Sequence, residues 1–474
     1  MLKRRLRKAL AAIVGNEHLK TEPAELALYS YDATPQADPA MPDAVVLPGS
    51  AEEVARLVEL ANEQKLPIVA RGAGTNLTGG ARAIRGGLVV STQRMNKILS
   101  VDESVLQAVV QPGVVTRDLH RAVEEKNLFY PPDPQSHDTC TIGGNLAENA
   151  GGPRAVKYGV TRHFVLALQV VLPTGELVRL GARTIKSVAG YDMVSLLVGS
   201  EGTLGIITEA TLRLIPLPRH RGTVLAVFSS LETAASSVGA ILQAGVLPSA
   251  LEFVDGPTIE CIQQHQPIGL PEDARAALVI EVDGAESQVA HETARVISVL
   301  ESSGATELRQ AADQKEAEVL WQARKAAGPA LASIAPHKFN EDIVVPITKL
   351  PQAVSGIHEI AKKHGVACAC FGHAGDGNIH ANFLVHPEDL RQAQEVHKAV
   401  EETFQLVLSL GGSITGEHGV GTTKQAFLGK ELSPTVMTVM RKIKDALDPN
   451  GIMNPGKIFP TGFLIGPNDE AQIH

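Results

Sequence analysis

The sequence predicts an α+β protein with two folded domains: an N-terminal α/β part, then an antiparallel sheet with helices on one side. Its 474 residues exceed what one hydrophobic core normally serves, so two or three domains are expected. From residue 42 onward, short apolar strands alternate with helical periodicity, and three glycine-rich runs interrupt them. From about Arg221 the strands become longer and more uniformly apolar, with helices between them.

We expect four segments along the chain: a helical arm at 1–41, a domain at 42–219, a second domain at 220–460 and a tail at 461–474. The first ten residues are basic, which predicts a surface helix or, as the alternative, weak contact with an acidic membrane surface. No signal-peptide core follows and no apolar run reaches span length. A cytoplasmic protein is expected, with a peripheral position at the inner membrane face as the alternative.

The charge pattern argues against nucleic acid as a partner. The net charge is −9, and no long run of one sign follows the basic start. Aromatic residues make up only 4% of the chain, so a base-stacking surface is not expected. The four cysteines form neither a disulfide framework nor a C-x-x-C site, which favours a reducing compartment.

Regular elements can be predicted through the first half. Ser50 and Glu53 form a capping box ahead of a helix, and Thr116 is expected to cap a helix that reaches Lys126. Apolar runs predict strands at 44–47, 66–70, 88–90 and 107–110, a hairpin over 165–180, and a strand that continues to Leu214.

The glycine-rich runs lie at 71–80, 139–152 and 199–208. Glycines allow backbone N–H groups to converge on an anion, and a pyrophosphate is the expected ligand of the first run. That run is not a dinucleotide fingerprint, because Leu77 stands where the third glycine belongs, and it lacks the Gly-Lys-Ser/Thr of a P-loop. A single run of this kind can be a structural turn as readily as a ligand-binding loop. Three runs in one domain predict an elongated ligand, with its diphosphate at one run and its ring at the others.

A polar cluster in the second half predicts a metal site. Residues 366–385 form two short strands around a Gly-Asp-Gly-Asn turn, so His380 and Asn382 share a face and His373 can fold back onto it. Glu417, which together with His418 forms a polar pair between two glycines, is the best third ligand. Two imidazoles and a carboxylate suit Zn, Mn or non-haem Fe. The alternative is a pair of structural histidines beside a glycine hairpin.

Two cations of the second half are ambiguous from position alone. Arg324 lies in a helical stretch and is either a solvated side chain or a fork for a carboxylate. Position alone leaves the same two interpretations for Lys338. Further strands are expected at 223–228, 251–254, 277–282 and 343–345, with a helix at 231–244.

Taken together, the motifs resemble a known family. The runs ARGAGTN, PPDP, TIGGNLAENAGG and GSEGTLGIIT resemble the two-subdomain FAD-binding domain of the p-cresol methylhydroxylase / vanillyl-alcohol oxidase superfamily. The second half resembles the FAD-linked oxidase C-terminal domain, a substrate cap. The closest pattern is that of the flavin D-2-hydroxyacid dehydrogenases, a group that includes glycolate oxidase large subunits, cytochrome-type D-lactate dehydrogenases and D-2-hydroxyglutarate dehydrogenases.

The resemblance implies a set of FAD contacts, including a segment at 445–460 that returns to the flavin. The first run holds no histidine to tether the flavin, so non-covalent FAD is expected. The implied cofactor residues are Arg71, Gly72, Ala73, Gly74, Thr75, Asn76, Gly80, Pro132, Asp133, Thr139, Gly143, Asn145, Ala147, Gly152, Gly202, Ile207 and Asn454.

The resemblance also implies the reaction: oxidation of a small D-2-hydroxy acid, D-lactate or glycolate, to the 2-oxo acid. Arg324 and Lys338 would bind the substrate carboxylate, and Asn382 would orient the substrate or a metal-bound water. A divalent metal, Zn or Mn, on His373, His380 and Glu417 would lower the hydroxyl pKa, and His418 would take the proton. The alternative role of His418 is to orient a ligand.

The expected electron acceptor is an electron-transfer protein, a cytochrome, a quinone or an iron–sulfur subunit, and a homodimer is one option. Four other functions stay open: a D-2-hydroxyglutarate dehydrogenase, a non-haem metal oxygenase, a UDP-sugar or aryl-alcohol oxidoreductase of the same superfamily, and a non-catalytic flavoprotein subunit. An oxygenase would leave the glycine runs unexplained, and the His/Glu cluster argues against a sugar or aryl-alcohol enzyme. Gly328, four residues past Arg324, removes a side chain that could hold a second carboxylate.

Overall fold

The structure is a computed structural model that describes residues 3–35, 37–265, 269–335, 337–385 and 390–463. Its helices are α1 (Arg4–Val14), α2 (Pro23–Ala27), α3 (Ala51–Gln64), α4 (Thr116–Glu124), α5 (Ile142–Glu148), α6 (Ala155–Tyr158), α7 (Met193–Leu197), α8 (Leu231–Gln243), α9 (Gly256–His265), α10 (Glu286–Ser302), α11 (Gln314–Lys325), α12 (Ala327–Ile334), α13 (Leu350–Lys363), α14 (Leu390–Ser409), α15 (Leu428–Glu431) and α16 (Pro434–Leu447).

Its strands are β1 (Leu19–Lys20), β2 (Ala44–Val46), β3 (Ile68–Arg71), β4 (Leu88–Ser91), β5 (Ile98–Asp102), β6 (Gln107–Val110), β7 (Leu128–Phe129), β8 (Val165–Val171), β9 (Leu177–Gly181), β10 (Ile206–Arg213), β11 (Ile215–Pro216), β12 (His220–Phe228), β13 (Ala250–Asp255), β14 (Ala276–Gly284), β15 (Glu307–Gln310), β16 (His337–Val344), β17 (Ala367–His373) and β18 (Asn378–Val385).

The chain forms two compact units. Unit 1 comprises Met1–Ala150, Val160–Leu217 and Glu417–His474; unit 2 comprises Gly151–Gly159 and Pro218–Gly416. Most of the predicted tail at 461–474 falls outside the described residues, which end at Phe463.

The first sheet of unit 1 has the order β1-β2-β4-β3, in which β2, β4 and β3 are parallel and β1 is antiparallel. The three parallel strands are mostly apolar because both of their faces are buried. One face packs with α1 and α3, where Leu10, Val14 and Leu57 are fully or nearly buried. Ser50 caps α3 as predicted: its hydroxyl accepts the Glu53 N–H at 3.2 Å. The Glu53 carboxylate accepts the N–H of Gly49 instead of that of Ser50.

The core contacts of α1 bear on the predicted membrane contact. Leu10 and Val14 of α1 are buried in the core with α3 and the sheet, and Leu6, Ala11 and Ile13 pack partly against that core. The large apolar side chains of α1 are therefore used for packing within unit 1, and its basic side chains are the ones exposed to an acidic surface. Within the described residues, none of the helices combines the length and apolar character needed to cross a bilayer.

The second sheet of unit 1 is five-stranded and antiparallel, with the order β5-β6-β10-β8-β9. The predicted hairpin is present as β8 and β9, and β10 continues the third glycine run as predicted. The prediction that Thr116 caps a helix was wrong. Val115 is the N-cap, and Thr116, fully buried, instead accepts a 2.8 Å hydrogen bond from Asn145.

Unit 2 is built on a seven-stranded antiparallel sheet of order β15-β12-β14-β13-β17-β18-β16. The prediction of helices on one side only was wrong. Leu225 and Val227 of β12 pack with Leu331 of α12. Gly222 belongs to the alternate face of β12 and lies against Thr293 of α10. Strands as apolar as β12 and β14 can be covered on both faces.

The two strands around the glycine turn, β17 and β18, are the fifth and sixth strands in the order of this sheet. β17 and β18 pair antiparallel with Phe371 opposite His380 and Ala369 opposite Asn382. The turn closes with the N–H of Gly377 donating to the carbonyl of His373 at 3.1 Å. Gly377 has φ +85°, and a Cβ there would overlap the carbonyl oxygen of Val345, so only glycine fits.

Candidate functional site

In unit 1 the first glycine run begins where β3 ends, at Arg71. Carboxyl ends of parallel strands are where α/β sheets bind ligands. The buried Arg71 guanidinium donates to the carbonyl of Tyr31 at 2.7 Å and lies 5.7 Å from the ring centre of Tyr29. A cavity of about 400 Å³ opens here; its lining includes Tyr29, Tyr31, Asp32, Arg71, Gly72, Ala73, Gly74 and Gln93.

Two glycines of this run cannot carry a side chain. A Cβ on Gly72 would overlap Oγ1 of Thr141, which is fixed because it caps α5 by accepting the N–H of Gly144. Gly74 has φ +73°, and a Cβ there would overlap the Arg71 guanidinium. The bare backbone thus forms one wall of the cavity.

The second glycine run contains a helix that the sequence pattern did not predict. Thr141 caps α5, and Ile142 and Leu146 bury its apolar side. The third run is tied to this helix, because the N–H of Glu201 donates to the carbonyl of Ala147 at 2.9 Å. Asn145, a predicted cofactor residue, donates one side-chain amide N–H to the hydroxyl oxygen of Thr116.

Asn454 returns from the C-terminal part of unit 1 to the glycine runs, and its contact with a flavin stays a prediction. Its amide nitrogen donates to the carbonyls of Gly80 at 2.9 Å and Glu201 at 2.7 Å, and its N–H donates to Ile68 at 2.7 Å. Gly202 lies beside it, because a Cβ on that glycine would stand 3.9 Å from the Asn454 amide nitrogen. The first run, the third run and β3 therefore meet at this buried amide.

The other predicted cofactor residues are spread more widely. The carbonyl of Pro132 contacts His120 at 3.0 Å, and the hydroxyl of Thr139 donates to Ser136 at 3.2 Å. Ile207 lies on β10 opposite Val170. The remaining residues lie in the runs already described, except Gly152, which belongs to unit 2.

Two buried glutamates in unit 1 were not singled out from the sequence. Glu201 accepts the N–H groups of Val420 at 2.8 Å and Gly421 at 2.7 Å. Burial raises the pKa of Glu201 and of Glu148 above the ordinary range, and for Glu148 the charge of Glu201 adds to the rise. The signal was a carboxylate inside each of two glycine-rich runs. Both carboxylates face Gly419, the residue after His418.

His418 and Glu417 belong to unit 1, where the hydroxyl of Thr78 donates to the carbonyl of His418 at 3.1 Å. The chain is fixed again four residues on, because the N–H of Thr422 donates to the carbonyl of Thr78 at 2.7 Å. These bonds hold the backbone of the predicted base in a defined position.

In unit 2 the sheet carries a row of polar side chains on one face, which we call the polar face. Residues directly opposite in an antiparallel ladder point to the same side. The register places His373 opposite Glu252, His380 opposite Phe371 and Asp342, and Asn382 opposite Asn340. The polar face therefore comprises Glu252, Lys338, Asn340, Asp342, His373, His380 and Asn382.

Glu252, fully buried, joins two predicted site residues. Its carboxylate accepts Nδ1–H of His373 at 2.6 Å and Nε–H of Arg324 at 2.7 Å. Burial alone would raise the pKa of Glu252, but the charges of His373 and Arg324 and their hydrogen bonds hold it below the ordinary value. Arg324 is also stacked 4.5 Å from the ring centre of Phe371. The interpretation of Arg324 as a solvated side chain is therefore wrong.

The two imidazoles come together as predicted: the rings of His373 and His380 lie 5.4 Å apart, edge to face. Asp342 opposite His380 is buried and accepts N–H groups from Asn378 at 2.6 Å and from Gly416 at 2.8 Å. Gly416 immediately precedes Glu417, so Asp342 fixes the backbone next to the predicted carboxylate ligand.

Lys338 and Asn382 are placed less directly for binding. The Asn382 amide donates to the carbonyls of His380 and Ala369, and its oxygen accepts from Asn340 at 2.7 Å. Lys338 is partly buried opposite Leu384, and burial lowers its pKa. Asn382 thus stiffens the polar face through its own sheet contacts.

Known proteins match both parts of the chain. The family described as FAD linked oxidases, C-terminal domain, matches residues 217–458, and an FAD binding domain family matches residues 42–181. The glycolate oxidase subunit GlcD of Bacillus subtilis (strain 168) is 43% identical, with 97% of this chain and 97% of that protein covered. A D-lactate dehydrogenase of Anaerostipes hadrus is 37% identical, with 88% of this chain and 90% of that protein covered.

Solved structures agree on the fold. p-Cresol methylhydroxylase with substrate bound superposes with a TM-score of 0.80 at 18% identity, over 96% of each chain. This similarity confirms the expected fold. The glycine runs of unit 1, the sheet of unit 2 and the matches across both lead to one conclusion: the chain belongs to the FAD-linked oxidases.

Proposed function

We propose that the protein oxidises a small D-2-hydroxy acid, D-lactate or glycolate, to the corresponding 2-oxo acid. The observation that carries the proposal is the polar face of unit 2, where two imidazoles and a lysine share one side of the sheet and Arg324 of α11 donates to Glu252 of that face. Such a set suits an anionic substrate with a hydroxyl to be deprotonated. Relatives named glycolate oxidase subunit and D-lactate dehydrogenase support this substrate class.

Unit 1 would hold FAD, which supplies hydride-accepting chemistry when bound. The glycine wall at Gly72 and Gly74 and the cavity beside Arg71 fit a diphosphate-containing ligand, since no side chain blocks the backbone N–H groups. Binding is non-covalent in this proposal, because residues 71–80 contain no histidine. A precipitated protein that stays yellow would contradict non-covalent binding.

A divalent metal, Zn or Mn, would bind to His373, His380 and Glu417. The Glu252–His373 hydrogen bond supports this, because metal-binding histidines usually donate their second ring N–H to a carboxylate. This hydrogen bond places the proton of His373 on Nδ1, so Nε2 of His373 would be the ligand atom. The metal would then bind the substrate hydroxyl and carboxylate oxygens and lower the hydroxyl pKa.

The remaining side chains would bind substrate and move the proton. Arg324 and Lys338 would attract the carboxylate. His418 would take the hydroxyl proton, because imidazole is the side chain that most often serves as a general base. Asn382 would orient His380 through its hydrogen bond to that residue's carbonyl.

Electrons would leave the reduced enzyme for a separate acceptor: an electron-transfer protein, a cytochrome, a quinone or an iron–sulfur subunit. The glycolate oxidase relative is itself named as a subunit, which supports a partner protein. The domain limits at 42–219 and 220–460, the helical arm at 1–41 and a cytoplasmic location remain part of the proposal.

A substrate panel with an artificial dye acceptor tests this function. D-Lactate, L-lactate, glycolate and both enantiomers of 2-hydroxyglutarate would be compared by kcat/KM. We expect D-lactate or glycolate to be preferred by at least tenfold. Preference for D-2-hydroxyglutarate would support the alternative enzyme, and no turnover of any hydroxy acid would overturn the proposal.

A further inference from the structure

We propose a second metal site in unit 2, built by Asp255, His358, Cys368 and Cys370 on the side of the sheet opposite the polar face. Its ligand would be a zinc-class divalent cation, because thiolate, imidazole and carboxylate together are a ligand set that zinc accepts. The site uses none of the residues assigned to hydroxy-acid oxidation.

The strand register separates the two sites. Val254 lies opposite Phe371, and both belong to the side that carries His380. The residues next to them, Asp255 and Cys370, therefore point the other way, and Cys368 shares the side of Cys370 because it is two residues away. On this side α13 packs against β17 and contributes His358.

The donor atoms already lie close together. A carboxylate oxygen of Asp255, a ring nitrogen of His358 and Sγ of Cys370 are all within 4.8 Å of one another. Sγ of Cys368 lies 4.0 Å from Sγ of Cys370. With metal–sulfur bonds of about 2.3 Å and metal–nitrogen bonds of about 2.0 Å, tetrahedral ligands sit roughly 3.3 to 3.8 Å apart. Asp255, His358 and Cys370 therefore lie near this spacing, and Cys368 is the candidate fourth ligand through its contact with Cys370.

The carboxylate is held in place by the backbone around it. Asp255 accepts the N–H of Thr258 at 2.8 Å on one oxygen and the N–H of Cys370 at 2.7 Å on the other. The same second oxygen contacts Nε2 of His358 at 2.9 Å. A carboxylate has about four lone-pair positions, so these contacts leave one for a metal. Backbone support of this kind is what keeps a metal ligand oriented.

The two thiols of the group are buried. A thiol that coordinates a cation loses its proton. Binding would release two thiol protons, and the His358–Asp255 contact would give way to His358–metal. The His358 side chain is 29% exposed, which leaves a route in from solvent.

Zinc K-edge X-ray absorption of the full-length holoenzyme, saturated with Zn²⁺ and freed of excess, tests the site. We expect a sulfur shell at about 2.3 Å in addition to nitrogen and oxygen scatterers. The variant Cys370→Ser should lose at least half of the sulfur signal, and His358→Gln should lower the zinc content. A nitrogen and oxygen shell alone in the wild type would overturn the proposal.

Two further variants separate this site from the polar face. Cys261→Ser changes a buried cysteine of α9 that lies outside the group, and its sulfur shell should equal that of the wild type. His380→Ala should lose the nitrogen- and oxygen-bound zinc yet keep the sulfur-bound zinc. If His380→Ala removed the sulfur shell, there would be no separate site. Zinc bound only through sulfur would instead contradict the metal proposed for catalysis.

Discussion

Glu252 of β13 accepts a 2.6 Å hydrogen bond from Nδ1 of His373, the residue opposite it on β17. The same carboxylate accepts the guanidinium N–H of Arg324 at 2.7 Å. One buried glutamate thus sets the tautomer of a proposed metal ligand and the position of a proposed substrate-binding arginine. Replacing it should disturb both roles without changing either side chain.

We therefore expect Glu252→Gln to weaken metal binding by about 10- to 100-fold, the range seen when such a supporting carboxylate is lost. The amide can still accept a hydrogen bond but carries no charge to favour the His373 N–H. Metal titration of the purified variant measures the affinity, and FAD content should stay unchanged. Glu281→Gln is the matched control, because Glu281 is a buried glutamate of β14 that bonds Trp321 instead. Equal metal affinity in both variants would contradict the role of Glu252.

Gly72→Ala should reduce the FAD content of the folded protein. The new Cβ would overlap Oγ1 of Thr141, and Thr141 cannot turn away without giving up the cap of α5. The ratio of flavin to protein absorbance after gel filtration measures the loss. Gly239→Ala serves as the control, because no atom lies within 4 Å of a Cβ there and alanine suits its place in α8. Full FAD content in Gly72→Ala would show that this wall does not shape the site.

His418→Ala should lower kcat by about 10²- to 10⁴-fold, the usual contribution of a general base. FAD and metal should both remain, because His418 is not among the proposed ligands. The acidic limb of the kcat/KM pH profile should flatten in the variant, which a merely structural role would not cause. A variant with kcat near that of the wild type would remove His418 from the reaction.

Lys457 gives unit 1 a defined pH dependence. Burial lowers its pKa to about 8, although Asp32 and Glu201 oppose this, and its ammonium donates to the carbonyl of Arg82 at 2.7 Å. Between pH 8 and 10.5 the unfolded chain keeps this proton and the folded protein does not. The contribution of Lys457 to stability therefore rises with pH across that window, by about 3 kcal/mol at most.

Thermal unfolding of the wild type and of Lys457→Met, measured from about pH 7.5 to 10, checks this. Methionine does not titrate. The Tm of the wild type minus that of Lys457→Met should therefore increase as the pH rises. Because both proteins share every other titrating group, the comparison isolates Lys457. A Tm difference that is constant with pH, or that moves toward the variant, would contradict the lowered pKa.

The sequence predicted the parts of this protein that depend on local pattern. The strand-turn-strand around Gly377 and the pairing of His373 with His380 follow from period-two alternation and turn chemistry. The cap at Ser50 and the hairpin of β8 and β9 follow in the same way. These features need only residues that are close together in the chain.

Features that depend on distant partners were not predictable in the same way. Glu252 is flanked by apolar residues in β13, and its role is visible only when β13 pairs with β17, more than a hundred residues later. Helix α5 was hidden because two glycines occupy its first turn, yet Thr141 and buried Ile142 and Leu146 stabilise it. Helices on both faces of the unit 2 sheet did have a local signal, the continuous apolar runs of β12 and β14, but the prediction of helices on one side did not use it.

The central claim is that a metal on the polar face and a flavin in unit 1 are both needed to oxidise the hydroxy acid. Anaerobic mixing with D-lactate or glycolate, followed by the visible flavin band, tests it most directly. The metal-loaded enzyme should bleach, while chelated enzyme with its full FAD content should stay oxidised and recover when Zn²⁺ or Mn²⁺ is returned. Bleaching of the chelated enzyme at the rate of the loaded enzyme would contradict the account.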